Sequence, residues 1–298
     1  MDGTAKAAEY HLRQGTTTIL ATIGSCMPDE MMRAMKTVCE LKKTVPNLYG
    51  VHLEGPFLNK ERHGCHHLEA IRTPQKAEWI EYNKYIDIIK MVTLAPELPG
   101  ADEFLGFYKS GGVVFSIGHS NAAYGEILHA VKKGVTHSCH IFCAQPGASR
   151  RDYVLEPGVR ESCLMLDQLT IEIICDGIHV GPRLVEFVCK VKGTDKTALV
   201  SDSLRGAGCP PGDYAFGPKS GRMCRIIKNP RVGIIPGQEG RLASSAIVLS
   251  DGIRILSEKT NLPLAEIWKM ASSIPARILN ISGKKEPSRK GWMPTSWC

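Results

Sequence analysis

Seven runs of aliphatic and β-branched residues, most of them followed by an amphipathic stretch at helical spacing, constrain this 298-residue chain more than any other feature. The runs are Thr16–Ile23, Tyr49–Glu54, Ile88–Leu94, Val113–His119, Val135–Ile141, Leu169–Cys175 and Ala198–Ser203. The helical stretches are Pro28–Lys43, Ala77–Tyr85, Asp102–Lys109, Ala122–Lys133, Pro182–Lys192 and Leu262–Ile281. Strands that are apolar on both faces must be covered on both, which is the condition of a parallel sheet with helical crossovers. Neither G-x-G-x-x-G nor G-x-x-x-x-G-K-[ST] occurs, so nucleotide-phosphate cradles are not supported. Seven such strands without a dinucleotide fingerprint point to an α/β, (β/α)8 TIM-barrel-like architecture rather than a doubly wound sheet.

Along the chain this gives a barrel over residues 1–213, a Gly-rich, alternating β-hairpin insertion over 214–243, C-terminal barrel helices over 244–282 and an atypical polar tail over 283–298. Hydrophobic residues make up 43%, enough for one large core or two modest ones. No apolar run approaches eighteen residues, so no membrane helix is expected. The N-terminus carries no secretory pattern, which makes a cytoplasmic protein the default. Eleven cysteines lack C-x-x-C pairing and read as buried reduced thiols, not as a disulfide framework or a structural zinc site. The net charge of +7 leans toward anionic ligands, but the basic residues are spread along the chain and nothing else supports nucleic acid.

The chemistry gathers where the apolar runs end. The second delivers Glu54 into a Gly55-Pro56 turn, where strand pairing cannot continue. The others lead into Gly118-His119-Ser120, His137-Ser138-Cys139-His140, Cys175-Asp176-Gly177-Ile178-His179 and Ser201-Asp202-Ser203. In a parallel barrel all C-terminal strand ends meet at one rim. A carboxylate with two imidazoles is a catalytic metal set, three protein ligands with one position left open, and a further carboxylate nearby suits a proton shuttle. Each residue taken alone has a plainer reading. A single His at a strand end is more often just hydrogen-bonded, and Asp202 alone would serve as a helix cap. The recurrence at successive strand ends favours the metal reading. His137 has a weaker claim than His140, and His52, deeper on the Glu54 strand, reads as packing.

These pieces resemble the N-acetylglucosamine-6-phosphate deacetylases of the amidohydrolase superfamily. The match is carried, in family order, by His52-Leu53-Glu54-Gly55-Pro56-Phe57, Gly64-Cys65-His66, Ser116-Ile117-Gly118-His119-Ser120, His140-Ile141-Phe142, Glu156-Pro157-Gly158, Asp176-Gly177-Ile178-His179 and Ser201-Asp202-Ser203. The resemblance implies one divalent metal ion, zinc or iron, on Glu54, His119 and His140. It implies that Asp202 takes a proton from the attacking water and returns it to the departing amine. Substrate contacts would fall on His66, His179, Cys143 and Ala144, the substrate would be an amino-sugar phosphate, and the chain would be a homodimer.

Four departures accompany the match. The chain starts beyond the family's first barrel strand, so the resemblance implies a barrel lacking that strand and only a remnant of a small β domain. Cys143 stands where the family has asparagine. Leu155 stands where it has the arginine before Glu-Pro-Gly, leaving Arg150, Arg151 or Arg160 to replace that guanidinium. The last residues lack the family's closing strand. Two alternatives to the deacetylase therefore stay open: an inactive or impaired fragment that at most binds metal or a sugar phosphate, and a related amidohydrolase with a different amide substrate.

Overall fold

The computed structural model describes residues 3–108, 111–217, 223–238 and 240–282. The expected tail 283–298 lies outside them. In chain order the elements are α1 (Gly3–Arg13), β1 (Ile19–Gly24), α2 (Pro28–Leu41), β2 (Leu48–Glu54), α3 (Lys76–Trp79) with a 3-10 turn Ile80–Tyr85, β3 (Ile89–Leu94), α4 (Ala101–Tyr108), β4 (Val114–Ile117), α5 (Tyr124–Lys133) and β5 (Val135–Ser138). There follow β6 (Ser149–Arg151), β7 (Val154–Glu156), α6 (Val159–Met165), β8 (Thr170–Ile174), α7 (Pro182–Lys192) and β9 (Thr197–Val200). The last are β10 (Gly212–Ala215), β11 (Met223–Ile227), β12 (Val232–Ile234), β13 (Leu242–Ser245), α8 (Leu249–Lys259), α9 (Leu264–Ala271) and α10 (Ser273–Ile278).

All seven apolar runs become strands of one sheet, in the order β1-β2-β3-β4-β5-β8-β9. The pairs from β2–β3 through β5–β8 are parallel. Among the described residues no helix is long and apolar enough to cross a membrane.

The chain divides into two compact units. One comprises Thr22–Cys39 and Val51–Glu172. Its core is aromatic: Phe104 meets Phe57, Trp79, Tyr108 and Phe115 at ring-centroid distances of 5.3 to 6.0 Å. The long loop after β2 is tied down by Arg72. Its guanidinium makes a two-pronged bond to Glu78, at 2.7 and 2.6 Å, and donates to the Cys26 carbonyl at 2.9 Å. The Tyr82 hydroxyl donates to the same Glu78 carboxylate. Arg72→Ala leaves that largely buried carboxylate without its cation and is expected to cost about 3 kcal/mol. Urea unfolding of the variant checks this, and an unchanged midpoint would show the pair to be energetically idle.

The other unit comprises the residues up to Ala21, Glu40–Gly50 and those from Ile173 on. Asn47 donates to the carbonyls of Ala8 and Thr16, closing α1 onto the chain that follows it. Strands β10 to β13 form a four-stranded antiparallel meander, within which the expected hairpin segment 214–243 lies. The stretch expected as one helix over Leu262–Ile281 is two, α9 and α10, broken at Ser272. Pro275 explains the break, since proline is accommodated in a first helical turn and not in an interior.

Candidate metal centre

Glu54, the last residue of β2, is the centre of a buried cluster. Its Oε1 lies 2.8 Å from His140 Nε2, 3.1 Å from His119 Nε2 and 3.6 Å from His66 Nε2. The His119 ring meets those of His66 and His140 edge to face, at 4.6 and 5.0 Å. Burial opposes ionisation of Glu54, but the surrounding imidazoles prevail and hold its carboxyl well below the ordinary carboxylate value.

Local structure fixes His119. It follows β4 through Gly118, where a Cβ would stand 2.5 Å from Thr93 Cγ2 and 3.0 Å from Cys139 Cβ, so only glycine lets the strand end approach its neighbours. Glu97 then clasps the turn. It accepts from the Asn121 main chain at 2.7 Å, from Ser120 Oγ at 2.7 Å and from Asn59 Nδ2 at 3.0 Å, so one carboxylate joins the loops after β2, β3 and β4. His119 itself adopts a left-handed φ of 51°. Phe142 and Ala144, either side of Cys143, and Asp202 share that uncommon conformation, at 77°, 50° and 46°. Strained backbone of this kind persists only where the surroundings enforce it, and it gathers at functional sites.

Hydrogen-bond partners separate the roles of the imidazoles. His119 Nδ1 sits 2.7 Å from the Arg62 carbonyl, which can only accept, so the proton is on Nδ1. Burial lowers the His119 pKa to about 4, so at neutral pH the ring holds one proton and Nε2 presents a bare lone pair to Glu54. Two acceptors 3.1 Å apart repel unless a cation lies between them. His66 is the reverse case. Its Nδ1 accepts the Ser25 main-chain N–H at 3.1 Å, which places the ring proton on Nε2, pointing into the cluster. Glu54 groups with His66 and His119, and separately with Cys139 and His140, as donor sets whose atoms lie within 4.8 Å of one another. In this pattern His66 turns an N–H toward Glu54, 3.6 Å away, and His119 a lone pair that could hold an ion. Tetrahedral bonds of about 2.1 Å put neighbouring donors about 3.4 Å apart. The two separations from Glu54, 3.1 and 2.8 Å, are somewhat tighter than this.

Beneath the cluster lies a polar layer built around Glu172, which the sequence reading did not single out. Glu172, in β8, meets His137 Nε2 at 3.1 Å and accepts from the Cys139 thiol at 3.1 Å and the His140 main-chain N–H at 3.2 Å. Burial opposes its ionisation, yet the His137 bond and the nearby imidazoles bring its pKa to about 2. His52 Nε2 lies 2.8 Å from Thr93 Oγ1, and burial lowers the pKa of that ring. The signal for Glu172 was present as one charge inside Thr170-Ile171-Glu172-Ile173-Ile174.

The other expected site residues belong to the second unit or to loops. Asp176 accepts from the main-chain N–H groups of Ile178 and His179, each at 2.9 Å, and its other oxygen is 2.7 Å from His179 Nδ1, which orients that ring. Asp202 follows β9. Its Oδ2 accepts from Ser244 Oγ at 2.8 Å and its carbonyl from the Ser245 N–H at 3.2 Å. Cys143 and Ala144 lie directly after His140, the Cys143 N–H donating to the His140 carbonyl at 2.9 Å. Leu155 is exposed on the β6–β7 hairpin, and Arg150 is its cross-strand partner.

No family model matches the chain. It is 30% identical over 296 residues to an N-acetylglucosamine-6-phosphate deacetylase of Lysinibacillus sphaericus, covering 95% of this chain and 73% of that one. It is 33% identical over 287 residues to the enzyme of the same name from Haemophilus influenzae, covering 95% and 72%. Among solved structures, a mutant of N-acetyl-D-glucosamine-6-phosphate deacetylase from Mycobacterium smegmatis, in complex with N-acetyl-D-glucosamine-6-phosphate, superposes with a TM-score of 0.85 at 27% identity. That match covers 93% of this chain and 71% of the other.

Proposed function

This chain belongs to the N-acetylglucosamine-6-phosphate deacetylase family, and from that premise we propose that it hydrolyses the acetamide of N-acetylglucosamine 6-phosphate to glucosamine 6-phosphate and acetate, using one divalent metal ion, zinc or iron, on Glu54, His119 and His140. The observation that carries this is the convergence of His119 and His140 Nε2 on the buried Glu54 carboxylate, at 3.1 and 2.8 Å, with His119 Nδ1 held by the Arg62 carbonyl. Such an ion supplies Lewis acidity toward the amide carbonyl and toward water.

The chain's own groups do the rest. His66 offers its Nε2–H to the acetyl carbonyl oxygen, where negative charge grows as the amide is attacked. Asp202 receives the proton of the attacking water and delivers it to the amine, which leaves poorly unless protonated. His179, held by Asp176, Cys143 and Ala144 contact the sugar phosphate. A homodimer in the cytoplasm completes the proposal. Donor sets suited to an ion and the extent of the family match disfavour the remnant reading.

The phosphate contact falls to Arg150. Residues directly opposite in an antiparallel pair project from the same face, so Arg150 stands beside position 155, its Nη1 donating to the Tyr153 carbonyl at 2.8 Å. Arg151 pairs with Val154, in the neighbouring register position, and Arg160 lies outside the hairpin, in α6. Arg150→Ala should raise KM for the phosphorylated sugar about tenfold or more with kcat little changed, as expected for one charge-assisted hydrogen bond. An unaltered KM would remove Arg150 from the site. The function itself is tested by acetate release from N-acetylglucosamine 6-phosphate and from N-acetylglucosamine, with metal quantified on the same sample. No release from either, at one zinc per chain, would overturn it. Release from the unphosphorylated sugar alone would favour a different amide substrate.

A further inference from the structure

The polar layer under the metal centre has no part in the proposed chemistry, yet it contains a carboxylate only 8% exposed inside a parallel sheet. Interior positions of such sheets are ordinarily filled by Val, Ile and Leu. Burying an ion there is costly unless every lone pair is used. Glu172 uses them on one short segment. Strand β5 ends at Ser138, whose ladder partner is Ile171. Beyond it the next three residues are all held by Glu172. Its Oε1 accepts from the Cys139 thiol and the His140 main-chain N–H, and its own carbonyl accepts the Ile141 N–H at 2.9 Å. The second carboxylate oxygen faces His137, whose other ring nitrogen is 2.7 Å from Thr170 Oγ1. His140 thus enters the Glu54 cluster from a segment whose direction Glu172 sets.

Cys139 gives this a chemical consequence. Its sulfur is one of the three donors, with Glu54 and His140, that lie within 4.8 Å of one another. A thiolate is the strongest natural zinc ligand within reach of the cluster. If it bound, it would fill the open position and reduce the Lewis acidity on which amide hydrolysis depends.

We propose that Glu172 is a positioning residue of the metal centre, which holds His140 in ligating position by its main-chain N–H and engages the Cys139 thiol so that the sulfur stays out of the metal's ligand set. This rests on the proposed metal site at Glu54, His119 and His140.

The test loads cobalt(II) into the full chain and into Glu172→Gln, Glu172→Ala, Cys139→Ala and the Glu172→Ala/Cys139→Ala double variant. Affinity is read by competition with a chromogenic chelator, and the ligand set by the absorption spectrum. The parent should bind one cobalt with d–d bands and no thiolate-to-cobalt charge-transfer band. Glu172→Ala should bind about 10–100-fold more weakly, as loss of a group that orients a metal ligand typically does. It should also gain the thiolate band, which the double variant abolishes. Glu172→Gln, which keeps an acceptor for the His140 N–H, should lose only about threefold to tenfold. A purely structural role would lower the thermal midpoint without adding a sulfur band. Parent-like affinity and spectrum in Glu172→Ala overturn the inference and leave the metal site standing. A parent chain that binds no cobalt overturns the metal site and the inference with it. If Glu172→Ala does not fold, Glu172→Gln decides, and unchanged affinity in that variant overturns the role.

Discussion

Replacing Glu54 by Gln is expected to lower the affinity of the chain for zinc by at least about a hundredfold while leaving its far-ultraviolet circular dichroism unchanged. Losing a residue that merely orients a ligand costs 10–100-fold in affinity, so about a hundredfold is a lower bound for losing a ligand. The substitution is nearly isosteric, and β2 ends in the same Gly55-Pro56 turn whichever side chain precedes it. What changes is charge. Glu54 supplies the only carboxylate of the proposed ligand set, and His140, His119 and His66 all aim Nε2 at its Oε1. An amide there offers a neutral oxygen or, rotated, an N–H that repels a cation. The His119 lone pair then has no anion opposite it to share an ion with. Metal content after dialysis against a weak chelator reads the effect directly. A Gln variant that keeps one tightly held zinc would show that the ion, if bound, is held elsewhere.

The sheet was legible because its signal is local. Ile171, Ile173 and Ile174, or Val114, Phe115 and Ile117, are buried on both faces of a sheet, and a run of that kind has few other uses. Glu54, His119, His140 and Asp202 were legible as candidates for a related reason: each breaks an apolar run at its C-terminal end, where a parallel sheet exposes its chemistry. Glu172 has the same kind of signal in mid-strand, where an ordinary reading expects apolar packing. The tautomers of His119 and His66 could not be read from sequence at all. They depend on the Arg62 carbonyl and the Ser25 N–H, which the fold, not the motif, brings to the two rings. Helices α1 and α6 were missed, and α6 is only seven residues long. The helix expected through Pro275 ignored a signal that was present. The β10–β13 meander was read as a hairpin because its strands are three to five residues long, giving period-2 alternation little length in which to show.

Asp202→Asn should reduce kcat for deacetylation by about 10²–10⁴-fold, the range that general acid–base catalysis contributes, and should leave bound metal and thermal midpoint at parent values. Its backbone explains why the fold should tolerate the change. Asp202 sits at φ 46°, a conformation that Asn accepts as readily as Asp. The local bonds survive too. The Ser245 N–H donates to the main-chain carbonyl of residue 202, and Ser244 Oγ is placed to donate both to that carbonyl and to Oδ2, which an amide oxygen can replace. What the amide cannot do is carry a proton from water to the amine. The hydroxyl of Ser244 also bears on the carboxylate's orientation, since it donates to Oδ2 at 2.8 Å. Ser244→Ala should therefore retain metal and lose far less activity than Asp202→Asn, because it loosens the carboxylate without removing its proton affinity. The contrast with Glu54→Gln separates the two carboxylates by role, since one variant loses metal and the other keeps metal without turnover. An Asn variant that hydrolyses substrate at the parent rate would move the proton shuttle to another residue.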